Sequence, residues 1–420
     1  MLGALTFVVF FFLPFSEALP GAASTLWTCL VLAVVVATVF VGQGKRPVYT
    51  GVWVSAAFLT FIGIVSSAGA SDSIRGHMII GAQVLLFIAF GPFALRRLAS
   101  APTLVRNALA AVLIGQSVSA LAALAQASGM TVLGWKTVSG RASGLASHPN
   151  IVGVLSSVAI VVFLYLIFKT ARKRLPLVVG LAVNVGALLV SGSISALIAC
   201  FIGVLVFMTA ARVSLKVPAI MAVVGGLALW FIGQLSSAGM LRGPAQRIAQ
   251  VTGQTNDIST LDIRQNTYAF AWDSIQKDPF YGRGLDSSSG ATFDHITLTH
   301  NILLRAWFQG GLGIGLAFAL IVAAIACLVI RAVFFGRDAA SAGVLAVIIG
   351  FSMTSAALQQ GYFWLLIFGA VALIEPKLLV TPTGVTGDSL VDVERRPVAA
   401  VVGAGASLAQ PPRALKADRG

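Results

Sequence analysis

The stretch IVGVLSSVAIVVFLYLIF (151–168) runs for eighteen residues without a charge, and KTARKR (169–174) follows it at once. A helix that crosses the hydrocarbon core of a bilayer needs about 20 mostly apolar residues, and cations collect at its cytoplasmic end. The segment therefore reads as a membrane span that leaves the bilayer on the cytoplasmic side. Comparable apolar runs precede it near 2–20, 24–42, 51–69, 78–95 and 107–127. Others follow near 175–190, 193–211, 218–236, 302–330, 340–357 and 362–379. The expected fold class is all-α, a polytopic membrane protein of about twelve transmembrane helices. The run at 302–330 is long enough to tilt or to project past the bilayer.

Cations orient these runs. Alternate loops carry Lys45/Arg46, Arg96/Arg97/Arg106, Lys169/Arg172/Lys173/Arg174, Arg212/Lys216 and Arg331/Arg337. With twelve spans all five clusters fall on one side, which the positive-inside rule makes cytoplasmic. Both termini are then expected inside, and the loops 128–150 and 237–300 outside. Residues 1–380 read as a single transmembrane domain that includes these two loops. Residues 381–420, rich in Pro, Gly, Ala, Val and charge without helical period, read as a disordered cytoplasmic tail. The first run lacks a basic n-region and ends on a poor cleavage site, so it reads as a retained span.

Composition excludes several classes. Of 420 residues, 58% are hydrophobic and 10% charged, and the mean hydropathy is +0.94. A soluble domain carries about a quarter charged residues. The net charge of +14 comes from small clusters between apolar runs, without a basic patch interleaved with aromatics, so no nucleic acid is expected as a partner. Cys29, Cys200 and Cys327 all lie in apolar runs, with neither disulfide nor metal spacing. Phosphate loops, dinucleotide fingerprints, His-Glu-x-x-His and Asp-x-Asp are missing, so neither cofactor nor metal is expected.

Polar residues remain at the outward boundary. Arg141, His148 and Asn150 stand just before the span at 151, and His300 and Asn301 at the mouth of the span at 302. In the large loop, STLDIRQNTYAFAWDSIQKDP (259–279) reads as an amphipathic helix. Ser259 and Asp262 offer a capping box, Tyr268, Ala271 and Ile275 an apolar face, and Pro279 a stop. Arg264 sits in its second turn. Taken singly, each has an ordinary explanation. Arg141 suits a headgroup anchor, His148 and Asn150 a helix cap, and His300 an ordinary interfacial histidine. Arg247 and Arg283 suit solvated loop charges, and His77 and His295 read as bystanders. Asn301, Arg305 and Gln309, however, recur at i, i+4, i+8 and form one stripe that enters the membrane. Polar groups there usually face a bundle interior or a wet cavity.

Two blocks carry a resemblance. Arg141-x-x-Gly144-x-x-x-His148-Pro149-Asn150 is the first. The second is Pro279-Phe280-x-Gly282-x-Gly284, then His300-Asn301, Leu303, Leu304 and Gly310-x-x-Gly313. Together, over roughly residues 25–375, the chain resembles the O-antigen ligase / polysaccharide polymerase superfamily. The resemblance implies a C-type membrane glycosyltransferase of a bacterial cytoplasmic membrane. It would move a glycan from a polyprenyl-diphosphate carrier to a glycan or glycolipid acceptor, without metal or nucleotide. It further implies His300 as the base that activates the acceptor and Arg141 and Arg264 as binders of the carrier diphosphate; His148, Asn150, Asn301, Arg305 and Gln309 are expected as substrate contacts. The chain departs from the family pattern at Gln309, where a Glu is common, and at Ser191-Gly192-Ser193, where Ser-Arg-Gly is common. The alternative from another class is a secondary transporter of a small anion or sugar, although no two-half repeat is visible by eye.

Overall fold

The computed structural model describes residues 2–41, 46–134, 137–138, 140–170, 174–214, 226, 260–293 and 297–374. All regular elements among them are helices: α1 (Leu2–Phe12), α2 (Gly21–Val41), α3 (Thr50–Ser67), α4 (Ile74–Leu98), α5 (Pro102–Ala127), α6 (Pro149–Lys169), α7 (Arg174–Val190), α8 (Ile194–Ala210), α9 (Thr260–Lys277), α10 (Ile302–Phe335), α11 (Ala339–Ser352) and α12 (Gly361–Leu373). Five of these, namely α3, α4, α5, α6 and α10, are long and apolar enough to cross a bilayer. Six shorter apolar helices accompany them, so eleven of the twelve apolar runs coincide with helices. The run at 218–236 lies outside the described residues apart from Gly226, as do Ser259, His295 and the tail from 375.

Local chemistry sets the helix ends. Ser73 caps α4 by accepting from the Gly76 N–H at 3.2 Å, and Arg96 and Arg97 close its last turn. Pro149 opens α6, where a missing N–H costs nothing, and Lys169 ends it. Asn301 caps α10 through the Leu304 N–H at 3.0 Å.

Close seams of small residues join the helices. At Gly203 in α8 an added Cβ would meet Val347 and the Gly343 carbonyl of α11, and at Gly343 it would meet Val161 of α6. A second seam sets Gly63 of α3 against Gly310, Gly313 and Ile314 of α10. Such contacts let backbones approach where lipid gives no hydrophobic drive for association. Polar pairs add to them: Gln116 donates to Ser156 at 2.9 Å, Asn184 to Ser117 at 3.2 Å, and Ser157 to the Ala196 carbonyl at 3.1 Å. Each is worth about 0.6 kcal/mol on average in a membrane. Trp53 of α3 and Phe318 of α10 pack edge-to-face on the stacked Phe368 and Trp364 of α12.

The opposite flank of α3 is open. Val54, Phe58, Phe61 and Val65 recur at spacings of four and three and are each more than half exposed. An apolar stripe of this kind suits contact with lipid. With the apolar helices it makes the chain a multi-pass membrane protein.

α10 does not run straight. At 1.5 Å per residue its 34 residues would reach about 50 Å, well past a hydrocarbon core of about 30 Å. Gly311, at φ +63° and ψ −168°, breaks it two residues beyond Gln309, the inner end of the stripe. The segment 280–284 fills the break: Arg283 N–H donates to the Phe308 carbonyl at 2.9 Å, Gly284 N–H to that of Gln309 at 2.9 Å, and Leu312 N–H to that of Phe280 at 3.3 Å. A Cβ on residue 311 would collide with the Phe280 carbonyl. The long helix is therefore broken at Gly311, and the loop mends the break.

Gly311→Ala should accordingly destabilise the protein. This conformation is essentially confined to glycine and costs another residue about 1–3 kcal/mol, to which the collision adds. Gly369→Ala, with open space around the new methyl, serves as the neutral control. Thermal unfolding in detergent should show a clear drop for the first and little change for the second; equal midpoints would refute the docking.

Candidate functional site at the end opposite the basic clusters

α6, α8 and α10 all begin at one end of the bundle, away from the ends that carry Lys169 and Arg331. The segment before α6 is built by α5. Gln126, near the end of α5, accepts from the Ser143 and Gly144 N–H groups at 3.1 and 2.8 Å and donates to the Gly144 carbonyl at 2.8 Å. Gly144 has φ +60° and lies against the Ser119 carbonyl, so no side chain fits there. Arg141 is thereby held inward, buried. Its Nε donates to the Ser191 carbonyl at 2.8 Å and its Nη2 to Asn150 Oδ1 at 2.7 Å. His148 caps α6, its Nδ1 accepting from the Asn150 N–H at 3.1 Å.

The second half of the site comes from α9. Ala271 and Ile275, on the face legible in the sequence, pack with Phe308 of α10, and Trp307 donates to the Pro279 carbonyl at 2.9 Å. The apolar face is thus used against the bundle. Tyr268 leaves the apolar set in one respect, since its hydroxyl donates to the His300 carbonyl at 2.7 Å. Arg264, one turn earlier, donates from Nη1 to Ser195 Oγ at 3.2 Å in the first turn of α8. Arg141 and Arg264, more than a hundred residues apart, therefore converge on the turn 191–195. Ser193 caps α8 there, accepting from the Ala196 N–H.

His300 sits just before α10, half-buried, and its Nδ1 is enclosed without a hydrogen-bond partner. Burial lowers its pKa below the usual imidazole value; the charge of Arg264 and then that of Arg305 act in the same sense, with the Leu298 backbone opposing. It is therefore neutral at neutral pH. Burial also lowers the pKa of Arg264, with Tyr268 opposing, and a guanidinium remains charged.

The polar stripe on α10 is inward, and its bonding is internal. Asn301 caps the helix and donates to the Met353 carbonyl at 3.3 Å. Arg305 is fully enclosed, donating to Gln309 at 2.9 Å, to Gln359 at 3.3 Å and to the Ala356 carbonyl. Gln309 lies buried against Gly290. Asn301, Arg305 and Gln309 thus build the wall that carries His300, while Arg141, Arg264 and His300 converge at the mouth. Among the described residues no three His, Cys, Asp or Glu side chains come together to hold a metal ion.

Two residues acquire unexpected places. His77 is fully buried; it accepts the Leu285 N–H on Nδ1 at 3.0 Å and therefore donates from Nε2 to the Ile64 carbonyl at 2.9 Å. It ties α3 and α4 to the docked loop and is no bystander. Arg283 is exposed, as a solvated loop charge should be, with its guanidinium over the Phe270 ring. Glu17, in the turn between α1 and α2, approaches Ser147 beside His148 at 3.5 Å. No motif marks it, although it is the first acidic residue of the chain.

The loop that mends α10 is also pinned by Asp286. Burial raises its carboxyl, but hydrogen bonds from Ser288, Ser71 and Ser289 outweigh that and hold it at about 2. A depressed carboxylate stabilises above its ordinary pKa of 3.8 and loses that contribution as pH falls through about 2. Hydrogen exchange in 281–290 should therefore stay protected down to the ordinary carboxylate range and rise below it. Asp286→Asn should abolish that step; an unchanged step in the variant would assign it elsewhere.

Set against known proteins, the chain matches no family model, and no curated protein is significantly similar to it, so its chemistry has to be read from these residues.

Proposed function

We propose that the protein transfers a glycan from a polyprenyl-diphosphate carrier to an acceptor sugar at the outer face of a bacterial cytoplasmic membrane, as a polysaccharide ligase or polymerase. In this reading the chain has twelve spans, both termini are cytoplasmic, and the mouth formed by α6, α8 and α10 faces outward. The observation that carries it is the convergence of Arg141 and Arg264 on the turn 191–195, beside a neutral His300.

The chemistry follows from those charges. The acceptor hydroxyl attacks the anomeric carbon as the bond from that carbon to the phosphate oxygen breaks. The bonding pair leaves on the diphosphate, where Arg141 and Arg264 stabilise the growing charge. The hydroxyl proton passes to His300, available because its nitrogen is neutral. A preassembled donor needs no nucleotide, and a lipid carrier suits a site at a membrane boundary. The resemblance to the O-antigen ligase / polysaccharide polymerase superfamily supports the same assignment.

Incubation of purified protein with a lipid-linked oligosaccharide, scoring released polyprenyl diphosphate, tests the reading. Absence of release together with uptake of labelled sugar would favour a transporter. His300→Ala should lower transfer by roughly 10²–10⁴-fold while donor binding persists; near-normal transfer would end the histidine-base mechanism. Because the His300 pKa is lowered, kcat/KM should hold as pH falls past about 6.5 and decline only below it. A decline that sets in above that value would contradict the assignment.

Arg264→Lys should be nearly as damaging as Arg264→Ala, since lysine keeps the charge but loses the planar fork. Full activity in a well-folded Arg264→Lys enzyme would reduce Arg264 to an electrostatic anchor.

A further inference from the structure

Glu17 is a carboxylate at a mouth otherwise lined by arginine. It lies in the turn between α1 and α2, outside the apolar helices, and remains accessible. Its neighbours come from other parts of the chain. Ser147 donates to its Oε2 at 3.5 Å from the segment that carries His148, and it interacts electrostatically with Arg305 of α10 and Tyr362 of α12. Charge at this end of the bundle is shared among several groups. Arg141 reaches Asn150 and Ser191, Arg264 reaches Ser195, His300 couples to Arg264 and Arg305, and Arg305 couples to Glu17.

The groups here differ in sign. Arg141 and Arg264, at the turn 191–195, suit an oxyanion. A diphosphate beside Glu17 would meet a like charge. A neutral polyhydroxyl ligand meets the reverse situation, because carboxylates accept short, strong hydrogen bonds from hydroxyl groups. The contact with Ser147 is long and uses one of about four acceptor positions of a carboxylate.

We propose that Glu17, with Ser147, forms the subsite for the acceptor sugar, binding its hydroxyl groups beside the segment that carries His148. This rests on the glycan-transfer reading for the name "acceptor", but the saccharide site itself can be measured without turnover. Glu17 is a binding residue here; no bond is made or broken at it.

The experiment uses full-length protein in nanodiscs and, as probe, oligosaccharides released by mild acid from the envelope glycan of the producing cells. Their binding is titrated on wild type, Glu17→Ala and Glu17→Gln. Roughly tenfold or greater weakening is expected for Glu17→Ala, as for loss of a charge-assisted hydrogen bond, with Glu17→Gln in between because its amide still bonds hydroxyls. In transfer assays the KM for acceptor should rise likewise while the KM for lipid-linked donor stays within about twofold. The subsite is overturned if wild type binds no oligosaccharide, if Glu17→Ala binds within twofold of wild type, or if the donor KM moves as far as the acceptor KM. Glu17-dependent saccharide binding without any release of polyprenyl diphosphate would sink the transferase reading and leave the subsite standing.

Discussion

The arrangement depends on one repair: the pairing of the backbone freed where α10 breaks at Gly311. A carbonyl or amide left open inside a membrane protein costs several kcal/mol, because no water is at hand to bond it. Here the carbonyls of Phe308 and Gln309 are taken by the amides of Arg283 and Gly284, and the Leu312 amide by the Phe280 carbonyl. The same three bonds fix the loop that follows α9. They thereby fix α9, which brings Arg264 to the start of α8 and Tyr268 to the backbone of His300. The seam between Gly63 and Gly313 holds the rest of α10 against α3, so the break cannot be relieved by sliding the helix.

Around that repair the polar residues divide by how their bonding is used. Arg305, Gln309 and Asn301 bond one another or the segment 353–359, and Asn150 is taken by Arg141. These groups stiffen the wall. Arg264, His300 and Glu17 stand at its edge. A wall of hydrogen-bonded polar groups in a low-dielectric setting resists rearrangement more than an apolar one would, because opening a bond leaves a buried group without its partner.

Much of this was legible in the sequence, in an uneven way. Period and length gave the apolar helices, since a span has to be about 20 residues long and apolar whatever it packs against. The helix at 260–277 and its apolar face were legible for the same reason, being decided by spacing within one turn. The stripe of Asn301, Arg305 and Gln309 could be read as inward-facing, but not what it meets, because the Ala356 carbonyl and Gln359 lie some fifty residues on. The break at Gly311 was hidden, since a glycine in an apolar run has a dozen ordinary explanations. His77 was misjudged because its two partners, Ile64 and Leu285, belong to segments that only the fold brings together. Glu17 was overlooked because one carboxylate at the end of an apolar run has no pattern to belong to.

The caps at His148, Ser193 and Asn301 have a consequence beyond ending α6, α8 and α10 neatly. Each helix carries the equivalent of about half a positive charge at its first turn, and all three first turns open at the same end of the bundle. The peptide backbone itself thus biases this end toward anions before any side chain is counted. That field comes from fixed dipoles, so neither a charge-neutralising substitution nor a change of pH removes it.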